Sequence, residues 1–135
     1  MCPWSKLQLG WLDPKEIKSN GEYTIEASAL KPDIYIIKNG YPNGEYILIE
    51  NRQSEGFDAH VPQGGIIIWH IDENASENKP GHPDQLNWPF TGDHYRVSIL
   101  QADGKYDLEK GKELFLCLKF LFVCFLFFVR LFGFY

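Results

Sequence analysis

The sequence predicts a mainly β protein, an antiparallel sheet or partial β-sandwich with long loops, followed by an apolar C-terminal tail that is helical if it is membrane-associated. Three observations carry that expectation. The runs Asp33–Lys38, Glu45–Asn51 and Gly65–Ile71 are dense in Ile, Leu, Tyr and Trp, residues that fit a pleated, half-buried surface. Asn, Gly and Pro cluster between these runs, where turns need them. No stretch before the tail repeats its apolar residues at helical spacing.

Taken in order, Pro14-Lys15-Glu16-Ile17 predicts one helical turn with Asp13 as its N-cap. Tyr23–Ser28 alternates Tyr23, Ile25 and Ala27 against Thr24, Glu26 and Ser28, which predicts a strand with one buried and one wet face. Between Asp33–Lys38 and Glu45–Asn51 lie two Asn-Gly steps, Asn39-Gly40 and Asn43-Gly44, so the two runs are expected to form a hairpin. Pro62-Gln63-Gly64-Gly65 is a turn leading into Gly65–Ile71. Glu73–Asp93 is rich in Asn, Pro, Gly and Asp and predicts a long surface loop before a last strand at His94–Gln101.

The chain has 135 residues, enough for one domain or part of one. Its 18 Asp and Glu all lie at or before Glu113; with Lys119 and Arg130 set aside from the 13 basic residues, 11 remain to balance them. The resulting acidic surface argues against nucleic acid as a partner, because phosphates require a basic footprint. Composition breaks near Gly111, so residues 1–112 read as a β-rich unit and 113–135 as a separate tail. The stretch LFLCLKFLFVCFLFFVRLFGFY is long enough for a membrane span. Lys119 and Arg130, however, leave only Phe120–Val129 uninterrupted, and charges within a span are costly. Three readings stay open for the tail: translated noncoding sequence, a membrane anchor, or a buried element. Cys2, Cys117 and Cys124 show no metal-like or paired spacing. Met1-Cys2-Pro3-Trp4 has neither a basic nor an apolar leader region, so no signal peptide is expected and Met1 reads as an internal start or a gene-model artefact.

Ionisable residues end both central apolar runs. Glu50 and Arg52 share one side of an extended strand, as do His70 and Asp72. A charge entering a strand covered on both faces must be paired. Glu50 and Arg52 are therefore either an internal pair or part of a cleft that meets substrate or supports a metal site. His70, embedded among Ile66, Ile68 and Trp69, needs a hydrogen-bond partner. It is a satisfied core histidine, a residue supporting a nearby active site, or a metal ligand with Asp72 and Glu50 as co-ligands. Asp103 and Asp107, in Gln101-Ala102-Asp103-Gly104 and beyond, are weak candidates for a cation, although their spacing does not match an EF-hand. Asn74-Ala75-Ser76 is a weak glycosylation sequon. Trp69, Trp88, Phe90 and Tyr95 are either packing residues or an aromatic patch.

The blocks GWLDPKEI, EYILIENRQSEGFD, GGIIIWHIDE and SILQADGKYDLEKG, in this order, resemble the region downstream of the catalytic helix in secreted zinc metallopeptidases of the immune inhibitor A type. The resemblance spans roughly Trp4 to Gly111. It implies a fragment of a hydrolase whose full-length members are secreted, use zinc and calcium, and cut protein or peptide substrates. The family's zinc sits on a His-Glu-x-x-His helix, where two histidines one turn apart bind the metal and the glutamate activates water. His60, His70, His82 and His94 contain no such pair. The chain alone is therefore expected to lack catalytic residues, to need no cofactor and to be inactive. The alternative is a non-catalytic β-sandwich binding module held at a membrane by residues 114–135.

Overall fold

In the computed structural model, residues 1–61, 63–76 and 93–101 are described. They run α1 (Pro3–Gln8), β1 (Lys15–Glu16), β2 (Ile34–Ile37), β3 (Glu45–Arg52), a 3₁₀ turn (Gly56–Asp58), β4 (Gly65–Asp72) and β5 (Val97–Ile99). The five strands form one sheet in sequence order, β1-β2-β3-β4-β5. All neighbours are antiparallel except β1 and β2, which pair in parallel over two residues. The architecture is thus mainly β, with a mixed sheet and little helix.

The longest ladder joins β3 to β4, from Glu45 opposite Asp72 to Arg52 opposite Gly65. Because opposed residues share a face, this register sorts the sheet into two sides. On one side Tyr46, Leu48 and Ile71 join Ile34, Ile36 and Leu12, with Trp4 and Leu7 of α1 packed against them. On the other, Ile47 and Ile49 pack with Ile17 and Ile25, flanked by Ile66, Ile68 and Leu100. Leu48 and Ile71 are wholly buried, and each side chain of that kind contributes about 1.5–3 kcal/mol on leaving water. With apolar groups on both faces, β3 reads as a continuous Ile-Leu run rather than an alternation, as a strand buried on both sides should.

The hairpin between β2 and β3 forms where the Asn-Gly steps predict it. Tyr41 N donates to the Lys38 carbonyl at 3.2 Å and Glu45 N to the Pro42 carbonyl at 3.0 Å, closing two successive turns. Gly40 and Gly44 take φ of +88° and +91°, a region that suits glycine.

Three expectations need correction. Lys15 and Glu16 are extended, not helical: Ile17 is buried and its N–H donates to the Ile36 carbonyl at 2.9 Å, so pairing with β2 outweighs the local N-cap signal. Tyr23–Ser28 buries Ile25 as its alternation predicts, yet it makes a single bridge, Ala27 to Asn51, and no ladder. The Asn51 amide donates to the Ile25 carbonyl at 3.2 Å, so a side chain occupies an acceptor that a strand partner would use. The last strand is confined to Val97–Ile99. Two short elements have no counterpart in the periodicity reading, the 3₁₀ turn and the helix α1. Pro3 starts α1, and Gly10 at φ +70° ends it in a Schellman arrangement, with Gly10 N donating to Leu7 O and Trp11 N to Lys6 O. The tail, residues 77–92 of the expected loop, and Asp103 and Asp107 lie outside the described residues. No helix among the described residues is long and apolar enough to cross a membrane.

Candidate functional site

The β3–β4 ladder carries ionisable groups at both ends, on opposite faces. At the Arg52 end, Glu50 is fully buried. Its Oε1 accepts the Trp69 indole N–H at 3.0 Å and lies 3.1 Å from Arg52 Nη2. Arg52 also donates to the Met1 carbonyl at 3.3 Å, and its Nε lies 3.6 Å from an Asp58 carboxylate oxygen. Glu50 and Arg52 therefore form an internal ion pair bounded by Trp69, and the carboxylate has no face open to a cleft. Glu50 cannot be a co-ligand of His70. It stands opposite Ile67, on the other side of the sheet and five residues along the strand from Glu45.

The other end gathers a different group. Glu45 faces Asp72 across the ladder and His70 faces Ile47, so all four lie on one face. The β5 register places Ser98 opposite His70, and the turn just before β5 delivers His94 above it. His70 Nε2 lies 3.4 Å from Glu45 Oε2, His94 Nδ1 lies 4.0 Å from the same oxygen, and His94 Nδ1 lies 3.5 Å from Asp72 Oδ2. The two imidazoles meet edge to face at 5.3 Å. One ligand atom from each of Glu45, His70 and His94 falls within 4.8 Å of the others. The side chains are 15–25% exposed, sheltered but reachable from solvent.

Local structure holds this corner in place. Asp72 Oδ1 accepts the Asn74 N–H at 2.9 Å, which fixes the carboxylate within its own turn. Asn74 in turn donates its side-chain amide to the Asn43 carbonyl at 2.7 Å, and Glu73 N donates to the Gly44 carbonyl at 2.9 Å. The loop before β3 and the turn after β4 are thereby tied together beside Glu45 and Asp72. Asn74 is exposed, as a glycosylation acceptor must be, but its amide is engaged in this tie.

Burial pushes the His70 imidazole below its ordinary pKa, and the neighbouring His94 adds to the shift, against the pull of Glu45 and Asp72. Burial, and then the Glu45 carboxylate, raise the Tyr41 phenol, whose ring sits 6.0 Å from that of His70. Tyr41 also lines an open cavity of about 580 Å³ on this face, whose apolar wall includes Ile17, Ile37, Ile47, Ile49 and Ile68.

Of the residues singled out from sequence, the structure brings Glu50 together with Arg52 and separates both from His70 and Asp72. Sequence reasoning missed Glu45 and His94. Glu45 meets Asp72 through the β3–β4 ladder, a pairing that the Asn43-Gly44 turn between β2 and β3 does not set. His94 carries no local signal. The zinc of the immune inhibitor A type does not fit these residues in its usual form, because no pair of histidines one helical turn apart exists in the chain. Comparisons with protein-family models, with curated proteins and with solved structures give no match.

Proposed function

We propose that this sheet belongs to a secreted zinc metallopeptidase of the immune inhibitor A type, in which a separate helix bearing His-Glu-x-x-His performs the hydrolysis and the present chain does not. The observation that carries the reading is the order and content of the four blocks, with EYILIENRQ and GGIIIWHID falling on the two longest strands, β3 and β4. In such an enzyme, zinc-bound water attacks the peptide carbonyl with a glutamate as base, and protein or peptide chains are the substrates. This chain supplies none of those three catalytic side chains, so its part is the scaffold beside the cleft. Two measurements test the reading. The genomic frame upstream of Met1 should encode His-Glu-x-x-His, and the purified chain with added zinc should leave casein intact. An upstream frame without that motif overturns the family assignment. Chelator-sensitive casein cleavage by the chain alone overturns the scaffold role.

A further inference from the structure

The geometry points to a divalent transition-metal site, zinc being the first choice, formed by Glu45, His70 and His94 at the corner where β3, β4 and the approach to β5 meet. It is distinct from the helix-borne catalytic zinc of the preceding proposal and does not depend on it. A tetrahedral ion with bonds of about 2.0–2.1 Å sets its ligand atoms about 3.3 Å apart. The Glu45 Oε2 to His70 Nε2 separation of 3.4 Å already matches that spacing. The 4.0 Å between Glu45 Oε2 and His94 Nδ1 closes with a small rotation of a side chain that is a quarter exposed.

Two further observations support a cation at this corner. Glu45 and Asp72 are directly opposed in an antiparallel pair, where like charges are unfavourable. A bound divalent ion converts that repulsion into attraction. Asp72 Oδ2 lies 3.5 Å from the same His94 Nδ1 and is held by the turn at Asn74, so a second carboxylate oxygen faces this corner. The donor chemistry selects the ion. Two imidazoles and one carboxylate suit zinc, cobalt, nickel or copper, whereas calcium and magnesium prefer oxygen-only shells. Three protein ligands leave a fourth position for water.

The test is zinc titration of the full 135-residue chain at pH 7.5, with a folding check by circular dichroism for every variant. Wild type should bind one zinc ion per chain, and cobalt(II) in its place should give the intense visible bands of a tetrahedral ion. The His70→Gln and His94→Gln variants should each weaken zinc binding by about tenfold or more, and the double variant should abolish it. Glu45→Gln should weaken it similarly, while Asp72→Asn should have a smaller effect. His60→Gln and His82→Gln serve as controls and should bind as wild type does. Folded wild-type protein that binds no zinc overturns the proposal, as does zinc binding that survives in the folded double variant. Calcium binding as tight as zinc binding overturns the choice of ion. These readouts are separate from casein cleavage and the upstream frame, so either proposal can fail without the other.

Discussion

Arg52 and Asp33 show how single charged residues set the stability of this sheet. Glu50 is completely buried and depends on Arg52 and Trp69 for its donors. Replacing Arg52 with Ala leaves a buried carboxylate short of its counter-charge, and the expected loss is about 3–5 kcal/mol. That is a large share of the roughly 5–15 kcal/mol typical of a domain. Replacing both Glu50 and Arg52 with apolar residues of similar size should recover much of it. Denaturant midpoints of the single and double variants decide the matter, and an unchanged midpoint for Arg52→Ala contradicts the structural pair. Asp33 gives a pH dependence. Burial pushes its carboxyl up, but the Glu26 N–H at 2.9 Å and the Lys15 ammonium at 2.6 Å outweigh burial and hold its pKa below the ordinary 3.8. The unfolded chain therefore takes up the proton first as pH falls. The stabilisation from Asp33 is complete above about pH 4 and is lost as pH falls through the unfolded value toward the lower folded one. Asp33→Asn should destabilise at pH 7, and the gap between variant and wild type should shrink at pH 3.

At the scale of elements, the tie between the loop before β3 and the turn after β4 is the part most open to test. Gly44 combines φ of +91° with close contact between the place of a Cβ and the Asn74 side-chain amide. Gly44→Ala should cost about 1–2 kcal/mol for backbone strain alone, measured as a lower unfolding midpoint. Adding Asn74→Ala should relieve the steric part and leave the backbone part. The central elements were legible in the sequence because Ile-rich runs bounded by the two Asn-Gly steps and by Pro62-Gln63-Gly64-Gly65 leave few alternatives, and β2, β3 and β4 follow from them. The six residues of α1 and the two of β1 were not legible, since elements that short generate no period. α1 is specified by Pro3, Gly10 and the packing of Trp4 and Leu7, and β1 by Ile17 seeking the core. The corner site was only half legible. His70 and Asp72 stood out within one strand, but Glu45 and His94 join them through pairings between distant segments.

For the whole molecule, the last acidic residue, Glu113, marks where the composition changes. The chain beyond Glu113 has no acidic residue and is built mostly of Phe and Leu. Deleting Leu114–Tyr135 should therefore raise solubility and leave the unfolding midpoint and cooperativity unchanged; a clear loss of stability would place the tail in the core. The ladder between β3 and β4 has one more consequence. If β4 slipped by two residues, Ile47 would meet Ile68, Leu48 would meet Ile67 and Tyr46 would meet Trp69, so the apolar pairs alone would accept the error. Slippage by an even number keeps every side chain on its proper face, and burial cannot penalise it. Glu50 can. In the slipped pairing it would stand against Gly65 with the Trp69 indole out of reach, a buried carboxylate missing one of its donors. The buried charge near the end of the greasiest strand is thus what tells the correct alignment from this counterfeit.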